Sequence, residues 1–269
     1  MSTLLQALHR SGLAPIDARV LMRTALKVND AYLIAHGDDT LDARQAVDFS
    51  ALVARRVAGE PVAYIVGERE FYGHTFKVTP AVLIPRPETE LLVERALERL
   101  PRDQPSRVLD LGTGSGCIAI SIALECSTAH VTATDYSEAA LNVARNNAQR
   151  LGAGNVAFKS GDWFDAIGAQ QFDLIVCNPP YVAQGDAHLA QGDLRFEPAS
   201  ALVAQASGYA CLAAIINGAR AHLFEGAWLL LEHGFDQSPR CRELLLRAGF
   251  DDVQSWRDLA GIERVSGAQ

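Results

Sequence analysis

The sequence predicts an α/β protein in which a mostly parallel sheet carries helices on both faces, preceded by a smaller helical region. Two observations lead to this prediction. After about residue 105, apolar strand-like runs alternate with amphipathic helical segments, as in sheets built from βαβ units. Residues 1–66, in contrast, place their apolar side chains at helical spacing.

The composition is that of an ordinary globular protein: 269 residues, of which 49% are hydrophobic and 21% are charged. The net charge of −8 argues against a nucleic-acid partner, since phosphates are bound by clustered Lys and Arg. No window resembles a transmembrane helix, and the start of the chain lacks the pattern of a signal peptide, so we expect a cytoplasmic protein without a membrane partner.

The 5 cysteines are widely separated. No His, Cys and acid cluster has metal-ligand spacing, so we expect reduced thiols and no metal.

Residues 1–66 are predicted to form a bundle of about four helices. Apolar residues recur at helical spacing within Leu4–Leu8, Ile16–Val28 and Leu41–Val57. Gly12 and the Gly59–Pro61 stretch supply breaks between helices. Two roles stay open for this domain: packing against the rest of the chain, or gripping a macromolecular substrate.

Residues 67–86 are predicted to form a β-hairpin linker, because the strand-like runs Glu70–Val78 and Val82–Ile84 are separated by Gly and Pro. The large domain, residues 87–269, then begins with a helix. Pro87 stands near the first turn of this helix, and Glu88 places an acid beside its N-terminus.

Seven strands are expected in the large domain. Five are clear, at Arg107–Leu111, Val131–Thr134, Val156–Lys159, Phe172–Asn178 and Trp228–His233, and two are weaker, around Val253–Trp256 and Ile262–Val265. The intervening helices are expected at Gly116–Glu125, Ser137–Leu151, Gly208–Phe224 and Ser238–Ala248. Ser137 is the expected N-cap of the second helix, and Gly152 is its expected stop.

The first strand-to-helix junction is rich in glycine. Glycines let the backbone turn sharply and approach a ligand at a helix N-terminus, which predicts a nucleotide-like ligand. The candidate binding residues are Gly112, Thr113, Gly114, Ser115 and Gly116. Their spacing is neither the G-x-G-x-x-G of dinucleotide sites nor a lysine-bearing phosphate loop nor a nucleophile elbow. Asp110, on the preceding strand, would repel a pyrophosphate but suit an ammonium or sulfonium group.

Acidic residues mark the next two junctions. Asp135 ends the second strand, where doubly wound folds place a carboxylate on ribose hydroxyls; the alternative is an N-cap of the following helix. After the third strand, Asp162 is a candidate acceptor for an adenine amino group. Trp163 either covers the adenine ring or belongs to the core.

The fourth strand stops at Asn178-Pro179-Pro180-Tyr181. Proline has a fixed φ and no N–H, so the two prolines cannot continue a ladder, and they hold the carbonyls around Asn178 in a stiff direction. An isolated Asn-Pro pair is typical of an ordinary turn. Here it falls on the same sheet edge as the other three junctions, where open α/β sheets bind ligands, and this favours a binding site.

Together, these junctions resemble those of the class I S-adenosyl-L-methionine-dependent methyltransferases, which have a Rossmann-like sheet. Asn178–Tyr181 resembles the motif of members that methylate planar amide or amino nitrogens, and the motif occurs in both protein-glutamine and DNA-adenine enzymes. Further blocks resemble the HemK/PrmC family. They are Arg55-Arg56 with Gly59–Ile65, Leu83–Glu90, Asp186–Leu189 with Gly192–Pro198, Leu230–Gly234 and Arg257–Gly261.

This resemblance, which covers essentially the whole chain, implies a function. The expected reaction is methylation of the side-chain amide nitrogen of the glutamine in the Gly-Gly-Gln motif of class 1 peptide chain release factors, which modulates translation termination. The expected cofactor is S-adenosyl-L-methionine, and its product is S-adenosyl-L-homocysteine. We expect a monomer in which residues 1–66 recognise the substrate and residues 87–269 carry out catalysis.

The resemblance also implies roles for individual residues. The glycine loop, Asp135, Asp162, Trp163 and Asn178 would bind the cofactor. Asn178, Pro179, Pro180 and Tyr181 would bind the substrate. The Asn178 side-chain oxygen and the Pro179 carbonyl would accept the two N–H bonds of the glutamine amide, and Tyr181 would cover the amide plane. An amide nitrogen becomes strongly acidic once alkylated, so no dedicated general base is expected.

Other functions stay open beside this one. A nucleic-acid methyltransferase acting on the adenine amino group shares the fold, cofactor and tetrad but needs a basic groove and base flipping. A non-catalytic cofactor-binding module would not need the Asn178–Tyr181 motif, and a nicotinamide oxidoreductase does not fit the glycine spacing. Two interpretations also stay open for three polar residues that follow the Asn178–Tyr181 motif, His188, Arg195 and Glu197. They border a substrate groove, or they form a surface loop in which Arg195 pairs with Glu197. His233 is expected to be structural.

Overall fold

The computed structural model describes residues 2–269, with residue 206 by its backbone alone. Residue 1, the first of the predicted domain 1–66, lies outside the described residues. Two compact units divide the chain: the first combines the residues up to Glu68 with His188–Phe196, and the second combines Arg69–Ala187 with Glu197–Gln269. In the described part of the chain, no helix is long and apolar enough to cross a membrane.

The first unit is helical, with five helices among its described residues where the sequence predicts about four. They are α1 (Leu4–Arg10), α2 (Pro15–Leu26), α3 (Asp30–Ala35), α4 (Ala43–Val57) and α5 (Val62–Val66). The extra helix arises because Asn29 caps the short α3, with its side chain accepting from Tyr32 N at 2.9 Å. Leu21, Met22 and Phe49 lie in the core of this unit.

A hairpin of β1 (Glu68–Phe71) and β2 (His74–Lys77) follows, and all of it after Glu68 belongs to the second unit. Its two-residue turn places Tyr72 at φ 51° and Gly73 at φ 73°, the left-handed conformations that match the twist of a tight hairpin. Phe71 and Phe76 are buried in the main core of this unit. The hairpin therefore packs as part of the second unit.

A seven-stranded sheet forms the centre of the second unit, as the sequence predicts. Its strands are β3 (Ser106–Leu111), β4 (Ala129–Asp135), β5 (Val156–Ser160), β6 (Phe172–Cys177), β9 (Leu223–Glu232), β10 (Gln254–Arg257) and β11 (Glu263–Ala268); the short β7 (Val182–Ala183) and β8 (Val203–Ala204) pair separately. The order across the sheet is β10-β11-β9-β6-β3-β4-β5. Only β11 runs antiparallel to both of its neighbours, so the prediction of a mostly parallel sheet is confirmed.

Helices cover both faces of this sheet. They are α6 (Glu90–Leu97), α7 (Cys117–Glu125), α8 (Glu138–Leu151), the short α9 (Ala199–Leu202) and α10 (Gln205–Gly208), α11 (Ala210–Ala219) and α12 (Ser238–Arg247). Alternate strand residues enter two separate cores, Val108 in one and Leu109 in the other. The helix predicted to reach Phe224 ends earlier, at Ala219. Leu223 instead begins β9, where it pairs with Phe172.

One buried asparagine joins three parts of the second unit. Asn147, on α8, is fully buried. Its Nδ2 donates to the carbonyls of Lys77 and Ser115 at 2.9 Å each, and its Oδ1 accepts from Lys77 N at 2.7 Å. The side chain thus ties the hairpin and the glycine loop to α8, and it satisfies three backbone groups, of which the Ser115 carbonyl is buried.

Replacing this side chain should therefore destabilise the protein strongly. We predict that Asn147→Ala lowers the free energy of unfolding by about 3 kcal/mol, because it removes three hydrogen bonds, including the one to the buried Ser115 carbonyl. Urea unfolding followed by circular dichroism measures the change. The neighbouring Asn146 is exposed on the same helix, so Asn146→Ala is a matched control that should stay within about 0.5 kcal/mol of the wild type. Equal effects of the two substitutions would contradict this role.

Candidate functional site

A cavity of about 300 Å³ opens at the carboxyl ends of the parallel strands, with all of its lining residues in the second unit. Each of the four junctions singled out in the sequence contributes to its wall. The residues from these junctions are Gly112–Ser115, Asp135–Ser137, Gly161–Trp163, and Asn178 with Pro180. The wall also includes residues of α7, α8 and α11, together with the segment before α6 and the segment around α9, which supply Val82, Pro85, Arg86, Thr89, Pro198 and Ser200. The predicted junctions therefore meet at one site.

Gly112, Gly114 and Gly116 give the loop after β3 its shape, since all three have positive φ. Close packing is a second reason why position 116 must be a glycine. A Cβ at this position would lie 2.7 Å from Ile120 Cδ1 and 3.1 Å from Ala144 Cβ. Gly116 is thus needed where the loop packs against two helices, and unlike the four preceding residues it does not line the cavity.

Asp135 holds the first two junctions together while it lines the cavity. Its Oδ2 accepts from Gly114 N at 2.9 Å, and its Oδ1 accepts from Ser137 N at 2.9 Å. The N-cap of α8 is Ser137, whose Oγ accepts from Ala140 N at 3.3 Å. Asp135 is only 8% exposed, and burial raises its pKa above the ordinary value. A carboxylate is therefore held in the cavity wall in a fixed orientation.

Asp110 takes a different place from the one expected. It is fully buried behind the loop, where its Oδ2 accepts from the Thr113 hydroxyl at 2.7 Å, and it does not line the cavity. The expectation that it lies beside a cationic ligand group is wrong, because the side chain points into the protein interior. Burial raises the pKa of Asp110 to about 7.

The third junction places Asp162 and Trp163 on the wall of the cavity. Asp162 is exposed, so its carboxylate is accessible to a ligand. The Trp163 ring lies over the glycine loop, 3.6 Å from the position of a Cβ on Gly112, and it also packs against the second core of the sheet. Trp163 therefore lines the cavity and packs in the core at once, and its contact with an adenine ring stays a prediction.

Asn178 reaches the cavity from the end of β6, and it is half-buried. Its Nδ2 donates to the Thr89 hydroxyl at 3.3 Å. Among the residues that the structure describes, none donates a hydrogen bond to its Oδ1. This oxygen is an acceptor available to a ligand.

Of the other three residues in the Asn178–Tyr181 motif, one lines the cavity and two do not. Pro180 lines the cavity, whereas Pro179 is buried and Tyr181 is not among the lining residues. The Tyr181 hydroxyl donates to Oε1 of the buried Glu232 at 3.3 Å. In this structure, Tyr181 therefore contacts the end of β9 and is not part of the cavity wall, and its predicted cover of the substrate amide stays a prediction.

Two polar residues of this region have no role in the sequence prediction. Thr89 and Glu232 are each only 2% exposed, and Thr89 lines the cavity. Burial raises the pKa of Glu232 to about 7, and among the described residues its Oε2 has no hydrogen-bond partner. Both residues lie in blocks that carry the family resemblance, Leu83–Glu90 and Leu230–Gly234, but a threonine that ends a 3₁₀ turn and an acid in an apolar strand give no local signal of a functional role.

An ion pair joins the two segments that complete the cavity wall. Arg86 pairs with the buried Glu197, whose other oxygen accepts from Ile84 N at 3.1 Å. The alternative in which Arg195 pairs with Glu197 is therefore wrong. Arg195 instead donates to the Ala58 carbonyl at 3.2 Å, within the first unit.

His188 and His233 belong to different units of the chain. His188 lies in a 3₁₀ turn that belongs to the first unit and is exposed. His233 is fully buried in the second unit. Its Nε2 lies 2.8 Å from Ser266 Oγ, and its Nδ1 lies 3.0 Å from the Gly234 carbonyl oxygen. Both ring nitrogens of His233 therefore have partners inside the protein, which agrees with the expected structural role.

The chemistry of the cavity fits a nucleoside-like ligand with a cationic group. Gly112 and Gly114 present backbone without side chains, and an added Cβ at Gly114 would meet nothing within 4 Å. Asp135 and Asp162 supply carboxylate acceptors for hydroxyl and amino groups, and Trp163 supplies an aromatic surface. The volume is within the range of small-molecule sites.

The buried carboxyl group of Asp110 predicts a pH-dependent stability. Its folded-state pKa of about 7 lies above the ordinary 3.8, so the stability that Asp110 contributes is present at low pH and is lost as the pH rises towards about 7. We predict that Asp110→Asn becomes progressively more stable relative to the wild type between about pH 4 and pH 7, with no further gain above. Urea unfolding across this range checks the prediction. A stability difference between Asp110→Asn and the wild type that does not change with pH would contradict it.

Two family models match the chain: one described as the PrmC N-terminal domain over residues 2–67, and one described as the methyltransferase small domain over residues 88–205. Full-length relatives are named release factor glutamine methyltransferase. The relative from Bordetella pertussis is 54% identical over 99% of this chain and 99% of its own length. The relatives from Burkholderia pseudomallei and Escherichia coli are 48% and 45% identical, over 100% and 93% of this chain and 96% and 90% of their own lengths.

Solved structures with a similar fold are also methyltransferases. One from Pyrococcus furiosus has a TM-score of 0.56 at 18% identity, over 81% of this chain and 98% of that chain. A 16S rRNA methyltransferase from T. thermophilus, in complex with AdoMet and guanosine, has a TM-score of 0.56 at 24% identity, over 75% of this chain and 49% of that chain. At these identities the likeness concerns the fold, and it confirms the expected class I methyltransferase sheet.

Proposed function

Because the chain belongs to the release factor glutamine methyltransferase family, we propose that it methylates the side-chain amide nitrogen of the glutamine in the Gly-Gly-Gln motif of class 1 peptide chain release factors. The methyl donor is S-adenosyl-L-methionine, and the product is S-adenosyl-L-homocysteine. The observation that carries the proposal is Asn178, which lines the cavity at the carboxyl edge of the sheet and whose Oδ1 accepts no hydrogen bond from the residues that the structure describes.

The four junctions supply the groups that would hold the cofactor. Gly112 and Gly114 give backbone without side chains in the loop that precedes α7. Asp135 is an acceptor for ribose hydroxyls, since both of its oxygens are already oriented by backbone N–H groups. Asp162 and Trp163 would accept the adenine amino group and cover its ring. When bound, the cofactor supplies a methyl group on a positively charged sulfur.

The substrate amide needs orientation more than activation by a base. An amide nitrogen is a poor nucleophile because its lone pair is delocalised into the carbonyl. Asn178 Oδ1 and the Pro179 carbonyl would accept its two N–H bonds and aim the nitrogen, with Pro180 beside it in the cavity wall. The same two acceptors would favour the positive charge that develops on the nitrogen, and the alkylated amide then loses its proton to an acceptor or to water.

The remaining parts of the proposal concern the domains and the partner. Residues 1–66 would recognise the release factor, residues 67–86 would act as a hairpin linker, and residues 87–269 would carry out methyl transfer in the cytoplasm as a monomer. A match of the PrmC N-terminal domain model to residues 2–67 supports a dedicated domain in this position. The net charge of −8 supports a protein substrate over a nucleic acid.

Labelled methyl transfer tests the proposal directly. The purified chain is incubated with S-adenosyl-L-methionine carrying a tritiated methyl group, together with either a class 1 release factor or duplex DNA. We predict label in the release factor, located by peptide mapping on the glutamine of the Gly-Gly-Gln motif. A release factor in which this glutamine is replaced by alanine is the control and should stay unlabelled. Label in DNA, or on another residue of the release factor, would refute the proposal.

A substitution at Asn178 separates orientation from cofactor binding. We predict that Asn178→Ala lowers the rate of methyl transfer by about 10²-fold or more, because the amide nitrogen loses an oriented acceptor. Calorimetric titration with S-adenosyl-L-homocysteine should still detect binding. Asn146→Ala, an exposed asparagine on α8, is the matched control and should keep the wild-type rate. Near-wild-type turnover of Asn178→Ala would remove Asn178 from the catalytic machinery.

A further inference from the structure

Among the described residues that line the cavity, Arg86 carries the only positive charge. The other charged side chains of this wall are the carboxylates of Asp135 and Asp162. Under the proposed function, both carboxylates hold the nucleoside part of the cofactor, whereas Arg86 has no role beyond its ion pair with Glu197. The cation is thus the charged group of the wall that remains without a ligand.

The backbone holds Arg86 at a fixed point of the wall. Pro85 and Pro87 flank it, and a proline disfavours the helical region for the residue before it. Arg86 accordingly has an extended conformation, with φ −99° and ψ 142°, and its carbonyl accepts from Thr89 N at 3.1 Å. The Thr89 hydroxyl accepts from Asn178 Nδ2. Arg86 therefore stands directly before the 3₁₀ turn whose last residue contacts Asn178.

One part of the Arg86 guanidinium is bound inside the protein, and the rest is accessible. Its Nη2 donates to Oε1 of Glu197, whose side chain is 0% exposed, whereas the Arg86 side chain is 30% exposed. Among the described residues, Glu197 is the one acceptor that the Arg86 side chain contacts. A guanidinium has five N–H donors, so donors are left for a ligand. The buried carboxylate thus orients the cation without using all of its donors.

The cofactor and the substrate differ in what they offer to a cation. S-adenosyl-L-methionine has one carboxylate, at its amino-acid end, beside an ammonium group. The Gly-Gly-Gln segment has no charged side chain and offers neutral carbonyl groups. A guanidinium binds a carboxylate through charge-assisted hydrogen bonds in a planar fork, and these are stronger than bonds to neutral acceptors. The chemistry of Arg86 therefore matches the amino-acid end of the cofactor.

We propose that Arg86 binds the carboxylate of S-adenosyl-L-methionine and so fixes the amino-acid end of the cofactor, with the buried Glu197 orienting the guanidinium. The inference rests on the proposed function, and it adds a binding residue at the end opposite the adenine, which Asp162 and Trp163 would hold. Arg86 takes part in no covalent step. Its effect is on the affinity for the cofactor.

The test measures dissociation constants by calorimetry for two ligands that differ in the carboxylate alone, S-adenosyl-L-methionine and its decarboxylated form. We expect the wild type to bind the decarboxylated ligand about tenfold or more weakly, because charge-assisted hydrogen bonds are lost. In Arg86→Ala, the ratio of the two dissociation constants should fall to about one. Taking the ratio removes any general weakening of the cavity wall, since that would affect both ligands equally.

Three further variants complete the comparison. Arg86→Gln removes the charge but keeps an amide that can donate to Glu197, so its ratio should also fall to about one if Arg86→Ala does not fold. Glu197→Gln keeps Arg86 and a side-chain acceptor for it, and should keep the wild-type ratio. Arg242→Ala, at an exposed arginine on α12, is the matched control and should keep both wild-type affinities. Thermal unfolding confirms that each variant is folded.

Two results would overturn the inference. The first is a wild type that binds both ligands with equal affinity. The second is a folded Arg86→Ala or Arg86→Gln variant that keeps the wild-type ratio, which would assign Arg86 to the structure of the cavity wall. The binding measurements contain no release factor. A chain that labels no release factor therefore contradicts the proposed function, while the ligand ratio still decides the role of Arg86.

Discussion

The site depends on the parallel register of β3 with its two neighbours. Leu111, at the end of β3, pairs with Thr134 on one side and with Cys177 on the other. The next residues of all three strands therefore emerge at one level of one sheet edge. Asp135 and Asn178, 43 positions apart in the sequence, thus reach the same cavity as the glycine loop. A change of register by one residue would turn alternate side chains to the opposite face and separate these groups.

Buried polar groups then hold the loops that the sheet brings together. Asp135 binds backbone N–H groups of two junctions, and Asn147 fixes the glycine loop to α8 and the hairpin. Arg86 and Glu197 do the same for the two segments that complete the wall. Such groups are costly to bury unless every partner is present, so they specify one loop arrangement rather than simply adding stability. A methyl acceptor that must be aimed at a fixed donor requires this kind of rigidity.

The sequence predicts the sheet and its functional edge because both depend on local patterns. Apolar runs that alternate with helical segments define the strands, and the short motifs at their ends mark the junctions that line the cavity. Local patterns do not tell which way a strand-end side chain points, so Asp110 was expected at the ligand and lies in the interior. They also do not reveal pairs between distant segments: Arg86 with Glu197, and Tyr181 with Glu232, are contacts that only the folded chain creates.

The central claim is that this strand edge presents two fixed oxygen acceptors to a glutamine amide, and a structure of the complex tests it most directly. The chain would be crystallised with S-adenosyl-L-homocysteine and a release factor or a peptide that contains its Gly-Gly-Gln motif. The account predicts that the glutamine side-chain nitrogen lies about 3 Å from both Asn178 Oδ1 and the Pro179 carbonyl oxygen. A glutamine nitrogen bound elsewhere in the cavity, or an Asn178 side chain that turns its Nδ2 towards the glutamine, would contradict it.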